Sequence, residues 1–214
     1  YHPESLVEFA EMIGISSIFE KGWVGDDFHP NTILNLHFQN TPRVKNTLKM
    51  AENFGTKVMN PTSATEICEN KPILLGSLRN MGIPVPDFYF GHPSKLPDFF
   101  GEEVILKVPG SHLVTKIKTL GVHSLEETIY CERVLDNPEK TVRTVYWVSG
   151  CFFTVLKTDT LQMRLKKPKE LIANDQEELK MIEKIRELIT LHFFNVEFIG
   201  EHIIDINAFP NFFF

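Results

Sequence analysis

Asp205 and Asn207 stand two positions apart in IIDINAFPNFFF, residues 203–214, an otherwise apolar run. In an extended strand the side-chain period is two, so this carboxylate and amide share one face while Ile204 and Ile206 share the other. Glu197, in NVEFIG at 195–200, is a third oxygen candidate. If the chain turns back at Gly200-Glu201, Glu197 and Asp205 approach on paired strands and Asn207 extends the row. Three oxygen ligands on one rigid hairpin suit one or two Mg2+ ions bridging nucleotide phosphates. Without a cation the two carboxylates would repel each other, which disfavours a purely structural role.

Phosphates need cations and donors. Lys107 interrupts the apolar strand EVILKV and precedes PGSH, where a loop could add backbone N–H groups to the same anion. Its bland alternative is a packed stem with the ammonium snorkelling to water. Lys71 opens the helix KPILLGSL, where a lysine opposes the helix dipole unless an anion compensates it. Glu132, in IYCERVL, could accept from the exocyclic amine of adenine while backbone groups from Arg133 to Leu135, Val134 among them, read the ring edge. Arg143, on the next strand, could hold a carboxylate or phosphate in bidentate fashion, or simply pair with Glu132 or Asp136.

Other chemistries are poorly supported. Neither GxSxG nor a paired CxxC nor GxxxxGK[ST] occurs, which weakens serine hydrolase, zinc and P-loop readings. The eight histidines form no HxH or HExxH pattern, and only His112, beside the loop after Lys107, stands near candidate chemistry. Three cysteines, Cys68, Cys131 and Cys151, have no ligand spacing and make an odd number, so they read as small apolar residues of a reducing compartment. A formal charge of -6 argues against nucleic acid as a partner, although RLKKPK at 164–169 could serve a small anion or form a solvated loop. No apolar run reaches the roughly 18 residues of a membrane span, so a cytoplasmic location is expected. The chain opens with Tyr1 rather than Met, which leaves room for a segment upstream.

The elements that must position these groups can be read in order. A helix is expected at 3–13, a strand in TILNLHF, a helix in PRVKNTLKMAENFG with proline at its start and glycine at its end, and a short strand in KVMN. This alternation implies a partial α/β domain over 1–56. Ser63 and Glu66 fit a capping box for a helix that continues through KPILLGSLRNMG to Gly82, after which IPVPDFYFG emerges as a strand. Strands follow in EVILKV, LVTKIK and IYCERVL, and RTVYWVSGCFFTVLK forms a hairpin at Ser149-Gly150. Asn174 and Glu177 fit a capping box for a helix with Leu179, Ile182, Ile185 and Ile189 on one face, before the final hairpin. A mainly antiparallel sheet covered by helices makes the fold α+β, in two lobes expected at 57–135 and 136–214.

Taken as an ordered set, these segments resemble the ATP-grasp superfamily over about residues 57–212. ENKPILLGSLRNMGIPVPDFYFG is similar to a stretch of ribosomal-protein-S6 glutamate ligases in which a lysine opens a helix ending in Gly-Ile-Pro before a strand, and Lys71 falls on that lysine. The resemblance implies that Lys107 is the second nucleotide lysine, that Glu132 and Val134 lie at the adenine, and that Arg143 lies near the transferred phosphoryl group or the acceptor. It implies Glu197, Asp205 and Asn207 as Mg2+ ligands, with ATP as the nucleotide. The closing DINAFP is also similar to inositol tris/tetrakisphosphate kinases of this fold. A carboxylate–amine ligase acting through an acyl phosphate, with a small-molecule or peptide carboxylate and an amine acceptor as partners, is therefore the first expectation. An inositol phosphate kinase is the second, and a nucleotide-binding protein without catalysis the third. The chain departs from the family pattern in having only Gly110 in the loop after Lys107, Asn211 after Pro210, and a short connection from Leu156 to the final helix. Oligomeric state is left open.

Overall fold

Two three-residue strands, β1 (Thr32–Leu34) and β2 (Lys57–Met59), run parallel, with Ile33 opposite Val58, and are joined through helix α1 (Pro42–Asn53). The helix starts where Pro42 has no N–H to waste, and Leu48 and Ala51 bury against Ile33 and Val58. Gly55, at φ 85°, takes the left-handed turn that stops it. β1, α1 and β2 fall within TILNLHF, PRVKNTLKMAENFG and KVMN, where a strand, a helix and a strand are expected. The computed structural model describes residues 32–35, 42–107, 114–148, 150–158 and 170–209. The helix expected at 3–13, the loop with Gly110 and His112, Ser149, the basic run at 164–169 and the Pro210-Asn211 step lie outside them.

One expected helix is two. Helix α2 (Thr62–Glu69) ends at Asn70, which leaves helical geometry at φ -86° and ψ 80°, and α3 (Lys71–Asn80) begins at once. Pro72 explains the break, because a continuous helix would need an N–H that proline lacks. The Ser63–Glu66 capping box does not form. Instead the Glu52 carboxylate of α1 accepts from the Thr62 N–H at 2.8 Å and from its hydroxyl at 2.5 Å, so a neighbouring helix satisfies the start of α2. At the end of α3, Gly82 adopts φ 74° and the Ile83 N–H returns to the Leu78 carbonyl at 3.0 Å, closing the helix on its glycine as expected.

Two antiparallel sheets follow. The first orders β3 (Phe88–Gly91), β6 (Ile129–Arg133), β4 (Glu103–Lys107) and β5 (Val114–Lys118) side by side. One face packs Val104, Ile129 and Cys131 against Leu96, Phe100 and Val122, the last from the single turn α4 (Thr119–Val122). The second sheet orders β11 (His202–Asn207), β10 (Phe193–Ile199), β7 (Thr141–Val148), β8 (Cys151–Thr158) and β9 (Glu170–Ile172). Helix α5 (Gln176–Leu188) covers one face of it, burying Ile182 and Ile185 against Val145, Trp147, Phe194, Val196 and Phe198. The same core takes in Cys68, Leu74, Leu75 and Leu78, so α2 and α3 pack on the second sheet although they precede the first in sequence. The cap of α5 is Asp175, which accepts from the N–H groups of Glu177 and Glu178. Asn174, the expected cap, is spent on the Thr154 hydroxyl and the Phe152 carbonyl. No described helix is long and apolar enough to cross a membrane.

Asn60, fully buried after β2, ties the small α/β unit to the second sheet. Its carbonyl oxygen accepts from the N–H groups of His192 and Phe193, and its amide donates to the carbonyls of Phe193 and Ala208. Asn60→Ala strands several buried backbone groups at once and is expected to lower unfolding free energy by about 3 kcal/mol. Urea denaturation checks this, and an unchanged midpoint would contradict the structural role.

Candidate functional site

The final hairpin turns at Gly200-Glu201, with Gly200 at φ 57°, and sets Glu197 directly opposite Asp205 and Asn195 directly opposite Asn207. These four polar side chains share the face turned away from α5, since Phe194, Val196 and Phe198 alternate onto the helix-covered face. A bulge between Glu197 and Phe198 follows the acidic pair and lets Ile203 and Ile206 both reach the core.

Three lysines meet three carboxylates here. The Lys71 ammonium, at the start of α3, bonds the Asp205 carboxylate and also donates to the Ile206 carbonyl at 3.2 Å. Lys107, at the end of β4, donates to the Ile204 carbonyl at 2.9 Å and pairs with Glu132 at 2.6 Å. Lys157, on β8, pairs with Glu197 at 2.5 Å. Glu132 is 3% exposed and also accepts from the Tyr130 hydroxyl at 2.7 Å, so its carboxylate is turned to the lysine. The alternation of β6 explains this arrangement: Tyr130 and Glu132 share one face while Cys131 goes into the first sheet's own core.

Electrostatics follow from this pairing. Burial pushes the Asp205 carboxyl up, but the charges of Lys71 and Lys107, with hydrogen bonds from Lys71 and the Ile206 backbone, outweigh it and hold the group below its ordinary value. Burial likewise opposes the charge on Lys71, and Asp205 more than restores it, leaving that ammonium above its ordinary value. Cys68, beside the same pair, is pushed up to about 12 by burial despite Lys71, so its thiol is no nucleophile at neutral pH. Burial and the neighbouring Glu132 raise Tyr130, which keeps it a hydroxyl donor.

The structure thus brings Lys71, Lys107, Glu132, Glu197, Asp205 and Asn207 onto one region. It does not bring Arg143 there. Arg143 alternates with Val145 and Trp147 onto the α5 face, bonds the Glu178 carboxylate through Nε at 2.6 Å and the Gly200 carbonyl through a terminal nitrogen at 2.6 Å. Its partners are thus Glu178 and the Gly200 carbonyl where Glu132 or Asp136 was the expected ion pair. Glu132, expected at the adenine, pairs with Lys107 in this structure. Val134 is half-buried in the connection leaving β6. Lys157 and Asn195 were not anticipated from sequence. Period-two counting back from the Ser149-Gly150 turn puts Lys157 opposite Val142, but only the pairing of β7 with β10 brings it to Glu197. Among the described residues no group of three or more His, Cys, Asp or Glu converges, so the acidic pair depends on other donors to complete an oxygen set.

No protein-family model matches the sequence, and no curated protein matches it. Solved structures do match the fold. The ATP-grasp ligase PsnB, complexed with a minimal precursor, Mg and ADP, aligns over 99% of this chain and 86% of its own, with a TM-score of 0.70 and 18% identity. The macrocyclase MdnC from Microcystis aeruginosa, bound with the precursor peptide MdnA, aligns over 97% and 87%, with a TM-score of 0.67 and 11% identity. D-alanine–D-alanine ligase from Bacillus anthracis, complexed with ATP, aligns over 86% and 70%, with a TM-score of 0.64 and 14% identity.

Proposed function

We propose, from the premise that this chain has the ATP-grasp fold, that it is an ATP-dependent carboxylate–amine ligase. The observation that carries the reading is the closure of Lys71 and Lys107, from a helix and from the first sheet, on one stretch of β11 at 204–206. Two amines so placed beside a carboxylate pair and an amide are the parts that a magnesium–triphosphate needs.

The residues fit a divalent cation on their own chemistry. Glu197 and Asp205 supply hard oxygens from directly paired strand positions, and the Asn207 amide nitrogen is engaged by Asn195, which leaves its carbonyl oxygen for the cation. The ammonium groups of Lys71 and Lys157 balance the acidic pair in this structure. In the proposed complex Glu197, Asp205 and Asn207 would hold Mg2+, Lys71 and Lys157 would turn from carboxylates to phosphate oxygens, and Lys107, kept on Glu132, would give a remaining N–H to a phosphate oxygen. Mg2+ supplies charge neutralisation on the phosphates. Glu132, braced by Tyr130, aims Lys107, and the backbone at Val134 borders the adenine. Arg143 serves to hold α5 and the turn at Gly200.

In the reaction a substrate carboxylate oxygen attacks the γ-phosphorus and ADP leaves with the bridging oxygen. An amine then attacks the acyl phosphate, losing a proton, and phosphate departs as the amide forms. The three lysines act by position and charge, and no protein nucleophile is required. PsnB is complexed with a minimal precursor and MdnC is bound with a precursor peptide, which supports a peptide carboxylate as the substrate class, with a small-molecule carboxylate as the other member. The kinase alternative leans on the resemblance of DINAFP at 205–210 and on the basic run at 164–169, and the latter lies outside the described residues.

The test is acyl phosphate trapping. With ATP, Mg2+, hydroxylamine and a panel of peptide and small carboxylates, the expected result is carboxylate-dependent ADP release with formation of a hydroxamate. ADP release with a phosphate ester as product would replace the ligase with a kinase. Nucleotide binding with no release across the panel would make it a non-catalytic binder.

A further inference from the structure

Asn195 and Tyr146 lie behind the oxygen row and take no part in the steps above. The strand registers line up Phe153, Tyr146, Asn195 and Asn207 as one transverse row across β8, β7, β10 and β11, adjoining the row that holds Glu197 and Asp205. Tyr146 is 3% exposed and Asn195 is 4% exposed. The Tyr146 ring stacks on Phe153 at 4.7 Å between centroids and 3° between planes, its hydroxyl is hydrogen-bonded to the Asn195 side chain, and the Asn195 carbonyl oxygen accepts from the Asn207 amide at 3.0 Å.

An asparagine amide has an oxygen end and a nitrogen end, and only the oxygen can ligate a cation. Asn207 on its own could present either. Its nitrogen is held backwards by Asn195, whose own amide is held by a tyrosine whose ring a stacked neighbour immobilises. We propose that Asn195, braced by Tyr146, is a positioning residue that fixes the Asn207 amide with its oxygen toward the Glu197–Asp205 row and thereby sets the affinity of this protein for its divalent cation. The inference rests on the cation reading given under the proposed function. Partners of this kind behind a metal ligand are worth about 10- to 100-fold in metal affinity.

The experiment titrates Mn2+, read by its paramagnetic resonance, into the ADP complex. Asn195→Leu keeps the side-chain volume but frees the Asn207 nitrogen, and is expected to weaken Mn2+ binding about 10-fold or more while ADP affinity measured in EDTA stays as in the parent. Asn195→Asp can still accept from Asn207 and is expected to bind Mn2+ no more weakly than the parent. Should Asn195→Leu not fold, Tyr146→Phe, which keeps the stacked ring, is expected to weaken Mn2+ binding about threefold, a fraction of the full effect. Parental Mn2+ affinity in Asn195→Leu, or equal losses in the Leu and Asp variants, would overturn the proposal. Asp205→Asn separates the two levels: if it also binds Mn2+ normally, the cation reading itself fails, whereas loss there with none in Asn195→Leu removes only the positioning role.

Discussion

Replacing Asp205 with alanine is expected to lower carboxylate-dependent ADP release by about 10^3-fold. The carboxylate is one of two anionic oxygen donors in the proposed cation site, and a divalent ion's contribution to a phosphoryl-transfer transition state is several kcal/mol, of which about 4 corresponds to that factor. The same substitution removes the Lys71 partner. It leaves an ammonium that is 21% exposed with the Ile206 carbonyl at 3.2 Å as its remaining acceptor, at a stability cost of about 2 kcal/mol for a charged hydrogen bond. Loss of turnover in Asp205→Ala could therefore be confused with partial unfolding, and Asp205→Asn resolves it. The amide still accepts from Lys71, so urea unfolding should move by less than in the alanine variant, while turnover should fall nearly as far because the anionic ligand is gone. Near-parental ADP release by either variant would count against the site.

Lys71 and Asp205 also account for why α2 and α3 pack where they do. Breaking the helix at Asn70 starts a fresh one at Lys71, and the first-turn lysine, unfavourable against the helix dipole, is compensated by a carboxylate 134 residues away. The apolar faces of α2 and α3 then fill the second sheet's core through Cys68, Leu74, Leu75 and Leu78. Local chain geometry, core packing and the placement of a candidate phosphate ligand are one arrangement.

Strands and their faces were legible in the sequence because period-two alternation and the glycines at 150 and 200 specify hairpins locally. The oxygen row on β10 and β11 followed from the same counting. Helix starts were less legible. Ser63–Glu66 and Asn174–Glu177 both have the pattern of a capping box, yet Glu52 and Asp175 take those functions, since a cap is decided by whichever oxygen reaches the free N–H groups first. Pro72 was a visible signal for the helix break and outranked the continuous apolar pattern around it. Arg143 could have been assigned to the α5 face from its alternation with Val145 and Trp147. Glu178, its partner, lies 35 residues on and is brought close only by packing of the helix on the sheet. Lys157 and the direction of Glu132 depended on which strands neighbour which, information that no single segment contains.

The largest stability effect is expected at Lys107. It is 13% exposed and its partner Glu132 is 3% exposed, so Lys107→Met leaves a buried carboxylate with only the Tyr130 hydroxyl of its two donors. Breaking a buried pair from one side costs about 3–5 kcal/mol, because the surviving charge keeps its desolvation penalty and loses its compensation. Adding Glu132→Gln removes that charge while retaining an acceptor for Tyr130, and the double variant should recover about 2 kcal/mol or more of the loss, a coupling typical of groups in one buried network. Urea unfolding of the two single variants and the double variant measures the cycle, and an additive result would mean that the pair is not a unit. Function should not follow stability. Under the proposed mechanism Lys107 is needed for the phosphates themselves, so the refolded double variant should still bind nucleotide about 10-fold or more weakly than the parent, a loss of about 1.4 kcal/mol. A double variant that regains both stability and nucleotide affinity would make Lys107 a structural counter-ion to Glu132, leaving the nucleotide to be held by other groups.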